Sequence, residues 1–134
     1  MKLLLDTHII LWMLSGSDLI DEETKRMIMD PSNQIYYSIV TPWEVEIKHL
    51  KHPQNFSLSG EQTKWLCEQA GFNDVPITSE HVLALKEIHP LDPALHHSDP
   101  FDKMLLAQAI RENMVLITHD DKFKNYRSAH LYVC

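Results

Sequence analysis

Five acidic residues stand at positions where chain geometry gives a carboxylate something to do. Asp6 ends the apolar run Lys-Leu-Leu-Leu at residues 2–5, and Asp120 follows Val-Leu-Ile-Thr-His at 115–119. Glu44 and Asp102 sit at the openings of two helical segments, with Asp99 just before the second. If the apolar runs are neighbouring parallel strands, their carboxyl ends share one rim, and acids distant in sequence converge there. Carboxylates held within a few ångströms repel one another unless a cation compensates. The natural compensator is a hard divalent ion, Mg²⁺ or Mn²⁺, which prefers carboxylate and water oxygens. A site of that kind binds phosphate, activates water and stabilises a leaving oxygen, so the chemistry implied is phosphodiester hydrolysis.

Each acid also has a simpler reading. Acids near helix N-termini cap free N–H groups and interact well with the dipole. Taken singly, Glu44 and Asp99 read as caps, whereas Asp6 and Asp120 divide evenly between turn chemistry and function. Two other functions use the same acids. A phosphatase would make Asp6 a covalent nucleophile, but such enzymes carry a second aspartate two residues later, where His8 stands here. A non-catalytic receiver-like module would hold Mg²⁺ for signalling.

Among the basic residues, Lys48 lies one helical turn after Glu44 and reads first as its ion-pair partner, with a phosphate contact as the alternative. Lys122, Lys124 and Arg127 form a small basic group after Asp120, placed either to meet an RNA backbone or as a solvated face. Nine histidines, including His96-His97 and the pair His49 and His52, invite a zinc reading, but no HExxH or Cys/His set accompanies them. His8 and His119 instead flank two of the acids. Trp12, Trp43, Trp65, Phe101 and Phe123 fall among apolar helix residues, so core packing is favoured over base stacking.

The elements that position these residues alternate in type. Lys2–Leu5 reads as a strand, His8–Leu14 as a helix closed at Ser15-Gly16, and Asp18–Met29 as a second helix broken at Asp30-Pro31. Ile35–Ser38 is a second strand. Thr41 with Pro42 and Glu44 predicts a capped helix start running to Lys51. Ser59 caps the next helix, which ends at Gly71 with Trp65 and Leu66 on its buried side. Val75–Ile77 is a third strand, and Thr78 or Ser79 opens a helix through Ile88. A loop through His97 then leads to Asp99 and Pro100, which cap a helix to about Asn113, and Val115–Ile117 makes a fourth strand. This alternation predicts an α/β fold with a mostly parallel sheet covered on both faces.

The whole chain is consistent with one such unit. Its 134 residues suit a single domain, and the 44% hydrophobic content supports a core. The net charge of −7 excludes a broad basic nucleic-acid-binding surface, so any such contact is local, and five acids in one site would account for most of the imbalance. No apolar run approaches the roughly 18 residues of a membrane span, and Asp6 and His8 interrupt the only N-terminal apolar segment, so a cytosolic location is expected. The two cysteines, Cys67 and Cys134, form no CxxC pair and suit a reducing compartment in structural or neutral roles.

Four stretches taken together resemble a known family. LLLDTH at residues 3–8, TPWEVEIKHLK at 41–51, HSDPFDKMLLAQA at 97–109 and LITHDDKF at 116–123 look like the four successive acidic blocks of the PIN domains, in order, and in particular of the VapC-like toxins of toxin-antitoxin pairs. The resemblance implies a three-layer α/β/α fold over residues 1–134 and a Mg²⁺- or Mn²⁺-dependent endoribonuclease. It also implies a dimer held inactive by a cognate antitoxin, with Trp12, Met13 and Leu14, or the helices around Met27 and Trp65, as apolar surface for such partners. By the same resemblance Asp6, Glu44, Asp102 and Asp120 are the metal-binding, catalytic acids. Asp99 is a further acid for a second metal or its waters, and Asp121 an alternative to Asp120. Thr7 and Thr118 match hydroxyl positions that orient a carboxylate or water, and Lys48, Lys103 and Lys122 are candidates for substrate phosphate. Ser98 and Lys103 depart from the pattern, standing where relatives often carry arginine, and Thr41-Pro42 where small polar residues are common.

Overall fold

The computed structural model describes residues 1–95 and 98–134; the His96-His97 pair weighed above lies outside the described residues. Five strands form one all-parallel sheet: β1 (Lys2–Leu5), β2 (Gln34–Ser38), β3 (Asn73–Val75), β4 (Val115–Thr118) and β5 (Leu131–Val133), in the order β3-β2-β1-β4-β5. β1 is central, with Leu5 opposite Tyr37 of β2 on one side and Ile117 of β4 on the other. Its three leucines are fully buried because helices cover both faces. Side chains alternate across a strand, so Leu3 and Leu5 join a core with Ile9, Ile10, Ile28 and Ile117. Leu4 joins the opposite one with Val40, Leu105, Leu106 and Leu116. The expected α/β architecture is thus present, with β1 supplying both cores.

The helices are α1 (Thr7–Ser15), α2 (Glu22–Met29), α3 (Val40–Lys51), α4 (Gly60–Gln69), α5 (Ser79–Ala84) and α6 (Pro100–Arg111), with 3₁₀ turns at Leu85–Glu87 and Asp121–Asn125. α1 ends at Gly16, whose φ of 68° is the left-handed conformation that favours glycine. α4 opens with the Ser59/Gln62 capping box. It also approaches α3 so closely that a Cβ at Gly60 would stand 2.5 Å from the Pro42 carbonyl oxygen. No helix among the described residues is long and apolar enough to cross a membrane.

Four expectations are corrected. α3 begins at Val40, not after Thr41: Ile39 is its N-cap without a side-chain cap, and the Ser38 hydroxyl at the end of β2 accepts the Val40 N–H at 3.0 Å. Thr41 and Glu44 are therefore inside the helix, and Glu44 is no capping-box partner. α4 buries Thr63 and Cys67, while Trp65 is 57% exposed. β3 lies at Asn73–Val75, two residues earlier than expected, and β5 was unexpected.

Candidate active site

The reversal of strand order on either side of β1 opens a crevice beyond the carboxyl ends of β1 and β4, the usual ligand position in an open parallel sheet. Asp6 is the first residue past β1. Its backbone N–H extends the ladder by donating to the Ile117 carbonyl at 3.0 Å, which leaves the side chain at the rim. Only 5% of the residue is exposed. Oδ1 accepts the Thr7 N–H at 2.7 Å as the N-cap of α1, and Oδ2 accepts the Thr118 hydroxyl at 2.6 Å.

From Asp6 a chain of hydroxyls reaches two other acids. The Thr118 Oγ1 that donates to Asp6 also accepts the Asp120 N–H at 3.1 Å. On the other side the Thr7 hydroxyl donates to Glu44 Oε1 at 2.8 Å and lies 3.1 Å from the Thr41 hydroxyl. Since the single Thr7 proton goes to Glu44, Thr41 is the donor to Thr7. Thr7 and Thr118 thus stand beside the acids as expected. Thr41, which the sequence places as a cap, stands one helical turn before Glu44 on the same face and belongs to the network.

Asp102 enters from the first turn of α6 and is 7% exposed. Tyr126 lies near enough for that charge to add to burial, the larger cause, in pushing the phenol pKa up. Asp99 caps α6 by accepting the Phe101 N–H at 2.9 Å, and Asp120 caps the following 3₁₀ turn through the Lys122 N–H at 3.0 Å. Asp121 is exposed and paired with Lys124 at 2.9 Å, so Asp120 is the acid joined to the network. Lys48 forms the expected ion pair with Glu44, at 3.4 Å. Lys103 lines a cavity of about 210 Å³ with Ser98 and Tyr126, and the Lys122 side chain is exposed. His8 and His119 are exposed and flank the Trp12 ring at 5.9 and 5.3 Å. His49 is held by the Phe56 carbonyl at 2.6 Å, away from the acids. Cys67 and Cys134 are both free thiols, the buried Cys67 pushed up to about 12 by burial.

The electrostatics of Asp6 are those of a site short of positive charge. Its pKa is raised, first by burial and further by the Glu44 charge, against the lowering effect of the Thr118 and Thr7 hydrogen bonds. No lysine or arginine pairs with it among the described residues. A buried carboxylate next to a second one, with oxygen ligands only, fits a hard divalent cation in the chemistry of its donors. Among the described residues no three His, Cys, Asp or Glu side chains stand together as a closed ligand set. The structure links the Asp6 and Glu44 carboxylates through Thr7, ties the Asp120 backbone N–H to the same network through Thr118 while the Asp120 carboxylate caps the 3₁₀ turn, and sets Asp102 in the first turn of α6.

A model of the PIN domain family matches residues 3–128. The chain belongs to the PIN domain family. This PIN domain is similar in fold to the structure of VapBC2 from Rickettsia felis bound to a DNA fragment from its promoter, at TM-score 0.68 and 18% identity, covering 99% of this chain and 98% of that one. It is also similar to VapBC-1 from nontypeable Haemophilus influenzae (0.61, 22% identity, 93% and 92% covered). A toxin-antitoxin complex from Klebsiella pneumoniae gives 0.58 at 21% identity, with 97% and 95% covered. No curated protein matches the PIN domain.

Proposed function

We propose that this PIN domain is a divalent-metal-dependent endoribonuclease, the toxin of a toxin-antitoxin pair acting in the cytosol. The observation that carries the catalytic reading is the network in which Thr7 and Thr118 tie the Asp6 carboxylate at the end of β1 to the Glu44 carboxylate and to the Asp120 backbone N–H, with Asp102 buried in the first turn of α6. Asp6, Glu44, Asp102 and Asp120 would hold Mg²⁺ or Mn²⁺, with Asp99 nearby for a second ion. The bound ion would lower the pKa of a water and offset charge on the phosphate. The protein's own part is to fix the carboxylates: Thr118 and the Thr7 N–H set the Asp6 plane, and Thr7 sets Glu44. Lys103 and Lys122 would supply positive charge to a substrate backbone, and Lys48 would do so only on leaving its ion pair with Glu44. An antitoxin partner is supported by the likeness to VapBC and toxin-antitoxin complexes. A protein partner, whether antitoxin or second copy, would find apolar surface at a groove of about 450 Å³ lined by Met13, Leu14, Phe72 and the exposed Met29.

The test is cleavage of a labelled panel of single-stranded and structured RNAs with Mg²⁺, Mn²⁺ or EDTA. Cleavage that needs the metal and falls by at least about 100-fold in Asp6→Ala and Asp102→Ala, with folding retained, is the expected result. Undiminished cleavage in both variants would remove the site from consideration.

A further inference from the structure

We propose that Trp43, braced by Phe101, is a stacking platform that holds one nucleobase of a single-stranded RNA at the edge of the carboxylate site; this rests on the ribonuclease reading above. The sequence favours core packing for both rings, and the structure departs from that for Trp43. Its neighbours Thr41 and Pro42 are buried, but Trp43 is 51% exposed. It is held in place nonetheless. The Phe101 ring packs against it edge to face, with centroids 4.8 Å apart and planes at 86°.

The two rings are placed by the same turns of helix that place the acids. Trp43 precedes Glu44 on α3, and Phe101 precedes Asp102 on α6. The aromatic pair therefore bridges α3 and α6, the two helices that carry Glu44 and Asp102, and a strand crossing from one helix to the other meets an exposed indole. Charge argues for a base in particular. The chain carries a net −7, and the nearby Lys48 is already paired with Glu44, so phosphate neutralisation gives this surface little affinity. A neutral base on an aromatic face adds affinity without a cation and suffers no repulsion from the acids. Such stacking is tolerant of sequence because every base has a π-face.

The experiment measures binding of a 5′-fluorescein-labelled ten-nucleotide adenylate oligomer, and of the same oligomer with one abasic residue at each position in turn. Binding is read by anisotropy in EDTA, so that no cleavage is needed. Trp43→Ala is expected to weaken binding about 5- to 150-fold, and Trp43→Phe to restore most of it. One abasic position should weaken the unmodified protein by a similar factor yet leave Trp43→Ala unaffected, a coupling that a merely structural role would not produce. Equal binding by Trp43→Ala and the unmodified protein, with matching thermal midpoints, overturns the platform. The same holds for abasic losses identical in the two proteins, which would leave the exposed indole to a protein partner. If RNA binds and Trp43 matters but no metal supports cleavage, the platform stands and the nuclease reading falls.

Discussion

Asp6 is where burial and charge oppose each other most directly. Its carboxylate is desolvated, and Glu44 adds a second negative charge, so the folded-state pKa is raised above the ordinary value near 3.8. For an acid with a raised pKa, the fold favours the protonated form. The penalty is absent below the unfolded value, grows as pH rises and is complete above the folded value. Asp6→Asn keeps an acceptor for the Thr7 N–H and removes the charge. It should therefore stabilise the metal-free protein at pH 7, with the gain fading as pH falls toward the ordinary carboxylate value, while cleavage is lost. Urea unfolding in EDTA at several pH values measures this, and destabilisation at pH 7 would show the carboxylate to be well compensated in the fold. At this scale the sequence is informative about where Asp6, Asp102 and Asp120 stand, because a strand end, a helix opening and a strand end mark them, whereas Glu44 lies inside α3. It is silent on Thr41, whose hydroxyl reaches Thr7 across 34 residues of chain, and on Trp43, whose exposure is decided by how α3 meets α6.

Local sequence decides an element when its signal is short-range and uncontested. β1, α1 and α6 follow their apolar patterns and caps, and the Ser59 cap is where its residue type puts it. The Thr41-Pro42-Glu44 pattern is a sound helix start that is overridden, because the turn out of β2 is already helical at Ile39 and the Ser38 hydroxyl accepts the Val40 N–H. β5 has three residues and half-buried side chains, too few for a period, and exists because β4 offers it an edge. α2 shows a cap working as its chemistry requires. Asp21 accepts the Thr24 N–H at 2.7 Å, and that hydrogen bond is the first cause of its lowered pKa. A depressed carboxylate contributes stability above its unfolded pKa and loses it as pH falls through the folded one. Asp21→Ala is thus expected to cost about 1 kcal/mol at pH 7. The difference from the unmodified protein should close as pH falls below the ordinary carboxylate value. Thermal unfolding from pH 7 to pH 3 tests it, and a difference that persists unchanged at pH 3 would mean that the aspartate acts through packing instead of charge.

At the scale of the molecule the question is how a chain of net charge −7 engages a polyanion at all. Its acidic residues outnumber its lysines and arginines by 19 to 12, and several cations are already committed: Lys48 to Glu44, Lys124 to Asp121 and Arg111 to Glu87. Counterion release scales with the number of phosphates neutralised, with a logarithmic salt slope of about −0.7 per contact for single strands. With Lys103, Lys122 and Arg127 outside those pairs, roughly three contacts give a slope near −2. A protein that held RNA by a basic surface would show several times that. Affinity for a ten-nucleotide single strand, measured in EDTA from 50 to 300 mM KCl, should therefore fall only gently, and Lys122→Ala should flatten it further by somewhat less than one. A steep slope in the monomeric chain would point to phosphate contacts from committed lysines released on binding. A slope that steepens with protein concentration would instead assign the missing cations to a second copy, completing across an interface a groove that one chain leaves electrostatically unfinished.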